Sequence, residues 1–157
     1  MTPNNQELHR VVATVFIYKD GKYLLVKRSS HTKIFPDKWH VPGGGLATSD
    51  YINAKPDTSA GQWYYALTKG LFREVKEEVN LEIEEPKYLL DLAFIQPDGT
   101  PVLCLVYYAR YKSGEVKLDA DGVEFVWVSA VKAKRYDLIP GIEHEIEMVD
   151  EILRETN

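Results

Sequence analysis

A run of charged residues near the middle of the chain has the clearest potential for chemistry. Residues 73–78 read REVKEE, and on a helix Glu77 and Glu78 project within about 60° of Glu74, on either side of it. Like charges at this spacing repel by roughly 0.2–0.5 kcal/mol per pair, and carboxylates in a last helical turn face the negative end of the helix dipole. A divalent cation would offset both penalties, because Mg²⁺ takes oxygen ligands. A solvated acidic helix face is the alternative explanation.

Three consecutive glycines form a second candidate site. Gly43, Gly44 and Gly45 lie in the segment WHVPGGGL, and glycine lets the backbone approach a ligand closely. The peptide groups there can offer a carbonyl oxygen to a metal ion or N–H groups to phosphate oxygens. A flexible turn explains a glycine run equally well, so the run indicates a site only in combination with the carboxylates.

Hydropathy patterns predict the elements that position these groups. Residues 11–18 and 22–28 are typical of strands, and Asp20-Gly21 between them favours a type I′ hairpin turn. Residues 29–60 are rich in Gly, Pro, Ser, Thr and Asp, which predicts a long loop of a kind that is functional or mobile. Further predictions are a helix over 62–79, strands over 87–96, 102–111 and 123–129, and an amphipathic helix over 142–153. Together they predict an α/β fold in which helices pack on the faces of a mixed sheet.

Composition excludes several functional classes. The 157 residues, of which 45% are hydrophobic and 27% charged, suit one globular domain and exclude a disordered or coiled-coil protein. The net charge of −5 argues against duplex nucleic acid as a partner. No apolar run is long enough to span a bilayer. The polar start and the single cysteine, Cys104, favour a cytoplasmic protein without a signal peptide.

The two candidate segments together resemble the signature of the Nudix hydrolase family. That signature runs Gly, five residues, Glu, seven residues, then Arg-Glu-apolar-x-Glu-Glu-x-Gly-apolar. This chain has Gly44, five residues, Asp50, and later REVKEEVNL over residues 73–81. The lead-in WHVPGG, the strand ending LLVKR and Trp127 on a late strand are also similar to family members. The resemblance covers residues 11–153, approximately.

The chain departs from the signature at three points. Asp50 stands where the family has Glu, and Asn80 replaces the final Gly. Asn is the second choice for the left-handed residue that ends a helix, so this replacement is mild. Twenty-two residues separate Asp50 from Arg73 where the signature has seven, an insertion of 15. The insertion leaves the role of Asp50 and the shape of the entrance open.

The resemblance implies a metal-dependent pyrophosphohydrolase that cleaves a nucleoside diphosphate linked to another moiety, by water attack at phosphorus. The implied cofactor is Mg²⁺ or Mn²⁺, and the partner is a small nucleotide or diphosphate. Arg73 would hold a glutamate by a bidentate ion pair, and Glu74 or Glu78 would orient or deprotonate the water. The implied metal ligands are Glu74, Glu77 and Glu78 with a carbonyl of Gly43 or Gly44.

Many family members add an acidic ligand from a later loop or strand. The candidates are Asp119, Asp121 and Glu124, and we favour Glu124 because it lies three residues before Trp127 on a predicted strand. For each of the three, plain surface charge is the more common explanation. Candidate substrate contacts are Lys27, Arg28, Gly44, Gly45 and Tyr51.

Aromatic residues of the insertion and the single cysteine have weaker functional interpretations. The insertion contains Tyr51, Trp63, Tyr64 and Tyr65, and aromatic residues near a phosphate site can stack on a nucleobase. Aromatics at helical spacing more often belong to a core. Cys104 alternates with apolar residues on a predicted strand, which indicates a small core residue. A diphosphate isomerase, the activity of some relatives, needs a cysteine in its pocket and is therefore disfavoured.

The resemblance also implies the architecture, an α/β/α sandwich with a mixed sheet. We expect one domain over residues 1–157, with an ordered core over 9–155 and an inserted loop over 46–61. Dimers are common in the family, so a homodimer is a further expectation. A catalytically silent Nudix-like nucleotide-binding module remains the alternative function, and the substrate stays open.

Overall fold

The computed structural model describes residues 5–156, and residues 1–4 and 157 lie outside the described part. The expectation that the polar start lacks a signal peptide rests partly on those first residues. Eight strands are described: β1 (Arg10–Lys19), β2 (Lys22–Arg28), β3 (Trp39–His40), β4 (Gly43–Gly45), β5 (Glu82–Ile83), β6 (Lys87–Ile95), β7 (Pro101–Ser113) and β8 (Gly122–Val128). The α-helices are α1 (Ala66–Val79), α2 (Ala130–Ala133) and α3 (Ile142–Glu155).

The strands form one mixed sheet. β1 pairs parallel with β7, whereas the other neighbours are antiparallel: β1 with β2 and β4, β2 with β3 and β8, and β7 with β5 and β6. The predicted type I′ turn between β1 and β2 is confirmed by positive φ at Asp20 and Gly21. β1 lies at the centre, so the glycine strand β4 is held beside the middle of the sheet.

Side chains alternate between two cores, one on each face of the sheet. On β1, Val15 and Ile17 pack with α1, whereas Phe16 packs with α2 and α3. The two-residue period of a strand produces this division. The predicted α/β/α sandwich with a mixed sheet is therefore confirmed.

Helix α1 starts later than predicted. The sequence predicts a start at Gln62, but Tyr65 adopts a left-handed conformation with φ of 58°, and the helix begins at Ala66. Only a right-handed residue can extend an α-helix backward, so the aromatic residues 63–65 belong to the loop. The other end is as predicted, because Asn80 is left-handed and caps the helix.

The insertion before α1 folds back on itself. The rings of Tyr51 and Trp63 lie 5.2 Å apart, and the Trp63 indole donates a hydrogen bond to the carbonyl of Ala54 at 2.9 Å. A backbone bond from Asp57 to Gln62 closes its tip. The segment is thus a closed surface loop held by its own side chains.

None of the helices within residues 5–156 combines the length and the apolar character that crossing a membrane requires.

Candidate active site

Arg73, in the middle of α1, joins the acidic residues of the site. Its Nε donates to Asp50 Oδ1, and its Nη2 lies 3.2 Å from Asp50 Oδ2. The same guanidinium lies 3.0 Å from Glu74 Oε1 and 3.0 Å from Glu77 Oε2. A bidentate partner for Arg73 was predicted, but that partner is Asp50, whereas each glutamate receives a single contact.

Asp50 has a structural role, because its carboxylate is buried and holds Arg73. Its side chain is 1% exposed, and the Ala47 N–H donates to Oδ2 at 2.8 Å. A Cβ atom on Gly70 would lie only 2.9 Å from that oxygen, so a glycine inside α1 leaves room for the carboxylate. The hydrogen bond from Arg73 holds the pKa of Asp50 below its usual value. Asp50 therefore fixes the start of the insertion to α1 despite the extra residues.

The glycine run is a strand, not a flexible turn. A Cβ on Gly43 would overlap the backbone of β1, and one on Gly44 would overlap the Glu74 carboxylate. A Cβ on Gly45 would lie 2.9 Å from the Arg10 guanidinium. The absence of a Cβ at each glycine thus lets a neighbouring group approach β4 closely. As a result, β4 lies between the acidic helix α1 and the cationic side chain of Arg10.

Glu78 is the most deeply placed of the three glutamates. The Gly43 N–H lies 3.3 Å from its Oε2. Burial raises the pKa of Glu78 to about 8, and burial also raises the pKa of Glu74. The Glu77 side chain is 59% exposed and forms an ion pair with Arg73. Among the residues the structure describes, no three carboxylate, imidazole or thiol groups converge on one point.

The structure does not bring Glu124 together with these carboxylates. Glu124 on β8 lies opposite Lys27 on β2, and its alternate neighbours Val126 and Val128 pack on the α3 side of the sheet. Residues an even number apart on a strand share a face, so Glu124 lies on the side away from α1. The acidic residue near Glu78 is Asp119, whose N–H donates to the Glu78 carbonyl at 3.1 Å and whose charge contributes to the raised pKa of Glu78.

A cationic cavity adjoins the glycine strand. It has a volume of about 490 Å³, and its charged lining residues are three cations, Arg10, Arg28 and Lys33, and one acid, Asp98. The Nε of Arg28 donates to the Ile34 carbonyl at 3.0 Å, and its charge interacts with Glu78 and Asp121. Arg28 was predicted as a phosphate contact, and its place in this cavity is consistent with that role.

Lys27 and Tyr51 are placed differently from Arg28. Lys27 lies within the sheet, between Trp39 of β3 and Glu124 of β8 in register. Tyr51 packs on Trp63 inside the insertion. Neither residue lines the cationic cavity, so the structure does not bring them together with Arg28.

An apolar cavity of about 420 Å³ lies between the sheet and α3. Phe35 and Phe94 line it, as do Cys104 and one carboxylic acid, Glu145. Cys104 is 6% exposed and belongs to the core, as predicted. Burial raises the pKa of its thiol, which makes it a poor nucleophile.

This chain is similar in sequence and in fold to several known proteins. The nucleoside triphosphatase NudI of Klebsiella pneumoniae is 24% identical over 135 residues, which cover 82% of this chain and 88% of that protein. The MutT protein from Methanosarcina mazei Go1 has a TM-score of 0.69 at 26% identity, covering 95% of this chain and 96% of its own. The chain resembles these proteins in sequence and shares their fold. A MutT Nudix hydrolase from Burkholderia pseudomallei shares the fold, with a TM-score of 0.68, 23% identity and coverage of 91% and 99%. No family model matches the chain.

Sequence reasoning missed three residues that line the cavities around the candidate site. Arg10 and Lys33 join Arg28 only in the folded chain, and no spacing rule would have found them. Glu145 lies among Ile142, Ile146 and Val149 on the apolar face of α3. An acidic residue on the apolar face of a helix could have been noticed in the sequence, because charged residues are almost never fully buried unless they are paired.

Proposed function

We propose that this chain is a divalent-cation-dependent hydrolase that cleaves a phosphoanhydride bond of a nucleotide by water attack at phosphorus. The observation that carries the proposal is the position of β4, with the Glu74 carboxylate on one side and the Arg10 guanidinium on the other. Phosphate esters carry negative charge that repels a nucleophile, so cationic groups must surround them. The nucleoside triphosphatase activity in the name of the NudI relative supports a nucleotide substrate.

The residues present fit a hard divalent cation. Their donor atoms are carboxylate and carbonyl oxygens, which Mg²⁺ and Mn²⁺ prefer. The missing Cβ of Gly44 leaves the Glu74 carboxylate against the backbone of β4, and Glu78 is buried beside Gly43. Glu74, Glu77 and Glu78, with a carbonyl of Gly43 or Gly44 and Asp119 as the acid from a later loop, would hold the ion after side-chain rotation. When bound, such an ion neutralises phosphate charge and lowers the pKa of its water.

The chain's own residues bind and orient the substrate. Arg10, Arg28 and Lys33 face the phosphates from the cationic cavity, and the apolar cavity receives the base. Glu78, held by the Gly43 N–H, orients the attacking water or accepts its proton. Arg73 keeps Glu74 and Glu77 in place through the Asp50 anchor.

The test is phosphate or pyrophosphate release from a panel of nucleotides with Mg²⁺ or Mn²⁺. Glu78→Gln should lower turnover by about 10²-fold or more, because an amide cannot accept the proton of the attacking water and is a weaker ligand for the cation than a carboxylate. Glu151→Gln, the same substitution on the exposed face of α3, is the matched control. Equal turnover of the wild type and Glu78→Gln would contradict the proposal.

A catalytically silent nucleotide-binding module is the second candidate. The observation that favours it is the separation of the carboxylates, since no three of them converge in residues 5–156. Tight nucleotide binding with no turnover of any panel member, with either metal ion, would establish the silent module instead of the hydrolase.

A further inference from the structure

Arg28, at the end of β2, has more hydrogen-bonding groups than its contact with the chain uses. Its Nε donates to the Ile34 carbonyl at 3.0 Å. Within residues 5–156 the structure records no protein acceptor for either Nη group, and no buried side-chain nitrogen there lacks a partner. Both Nη groups are therefore open to solvent, and they can bind an anion while Nε keeps its bond to Ile34.

The bond from Arg28 holds the tip of the loop that joins β2 to β3, residues 29–38. Among the tip residues 33–36, all of them described, it is the one recorded hydrogen bond to the chain outside the loop. Phe35 in this tip has φ of 50°, a left-handed conformation that is unfavourable for a residue other than glycine. The position of the tip thus depends on the bond between Arg28 and Ile34.

Lys33 precedes Ile34 in the chain and lines the cationic cavity together with Arg28. Its side chain is exposed. Within the described residues its ammonium forms no recorded hydrogen bond or ion pair, although Asp98 lines the same cavity. A lysine on an untethered loop loses backbone and side-chain freedom when it binds a ligand. The bond to Ile34 fixes the backbone beside Lys33 in advance, which lowers that entropic cost.

We propose that Arg28 is a positioning residue as well as a phosphate contact, because through the Ile34 carbonyl it places Lys33 against the phosphate that its own Nη groups bind. The inference rests on the proposed function for the presence of phosphate in the cationic cavity, but not on hydrolysis. Lysine cannot replace Arg28 in this role, since an ammonium is a point charge without the fixed fork of donors. Arg10 lines the same cavity from β1 and has no recorded hydrogen bond to the loop in the described chain.

The test is a double-mutant cycle on the binding of inorganic pyrophosphate to the full chain, measured by calorimetry without metal ions. In the wild type, Lys33→Gln should weaken binding by about fivefold or more, because it removes a cation that the loop holds in place. In the Arg28→Lys background the same substitution should weaken binding by about twofold or less, because the loop no longer places Lys33. In the Arg10→Lys background, the matched control, the wild-type effect of Lys33→Gln should persist.

The backbone dynamics of the ligand-free protein give a readout that a change in phosphate contacts alone would not move. In Arg28→Lys, the NMR order parameters of residues 33–35 should fall below about 0.6, the range of flexible backbone. Arg10→Lys should leave them at the wild-type values. Phe35→Gly loosens the same tip without a change at Arg28, and it should reduce the effect of Lys33→Gln on binding in the same way.

Independent, multiplicative effects of Arg28→Lys and Lys33→Gln on binding would overturn the inference, as would order parameters that Arg28→Lys leaves unchanged. Absence of pyrophosphate binding by the wild type would overturn it too, because the cavity would then hold no phosphate. Melting curves check that each variant folds, and Phe35→Gly decides the question if Arg28→Lys does not fold. Independent effects in a chain that hydrolyses nucleotides refute this inference alone, whereas coupled effects without turnover refute the proposed hydrolase alone.

Discussion

At the scale of single residues, the site depends on one arginine and the acid that anchors it. Asp50 is almost fully buried and Arg73 is about one-third exposed, with a side-chain exposure of 33%. Bidentate guanidinium–carboxylate pairs combine energy with fixed geometry. The pair thus sets the rotamer of Arg73, and Arg73 in turn holds two of the proposed ligands.

Asp50→Asn should destabilise the protein by about 1–3 kcal/mol, because it leaves Arg73 with an uncharged partner and weakens the anchor. Urea unfolding measures the change. Asp137→Asn, which breaks an exposed pair with Lys38, should cost less than about 1 kcal/mol. Equal effects of the two substitutions would show that the Asp50 pair has no special role.

Gly44→Ala should separate activity from folding. The new Cβ would displace the Glu74 carboxylate, which is the far end of a flexible side chain, so the fold persists while a proposed ligand moves. We expect turnover with Mg²⁺ to fall by about tenfold or more with a small change in melting temperature. Full activity in this variant would argue against Glu74 as a ligand.

The pH dependence of stability should report on Glu145. Its folded pKa is about 7, above the usual 4.5, so its contribution to stability is complete below about pH 4.5 and is lost as the pH rises through 7. Glu145→Gln should therefore match the wild type at pH 4 and be more stable at pH 8, by at most about 3 kcal/mol. Chemical unfolding at both pH values measures this, and an equal difference at both would disprove it.

At the scale of elements, helices and strands with a regular hydropathy period were predictable from the sequence, whereas very short strands were not. Apolar residues every four positions located α1, and Asp20-Gly21 located the first hairpin. β3 and β4 contain two and three residues, which is too short for a period to show. The start of α1 was misplaced because the left-handed Tyr65 leaves no mark in hydropathy. Glu124 was favoured for its distance from Trp127, although an odd offset on a strand places two residues on opposite faces.

The insertion should loosen without unfolding the domain when its internal contacts are removed. Trp63→Ala deletes the ring contact with Tyr51 and the hydrogen bond to Ala54. Amide exchange over residues 51–65 should rise by about tenfold or more, while exchange in β1 and β7 stays unchanged. Unaltered protection in the loop would mean that these contacts do not hold it.

At the scale of the whole molecule, the sheet separates two tasks. The α1 side carries the acids, and the α3 side carries the apolar cavity with Glu145. β1 and β4 connect them, since Arg10 and the glycines lie on these adjacent strands. The fold was predictable from the glycine and glutamate motif because that motif spans β4 and α1. The residues that line the cavity beside α3 were not predictable, because they come from segments far apart in sequence.

The carboxylates of α1 should bind a divalent cation for hydrolysis, and calorimetric titration with Mn²⁺ at neutral pH measures this binding. We expect saturable uptake by the wild type and binding weakened by about tenfold or more in Glu78→Gln, because a carboxylate ligand is lost. If the wild type took up no Mn²⁺, even with a nucleotide present, α1 would not be a cation site.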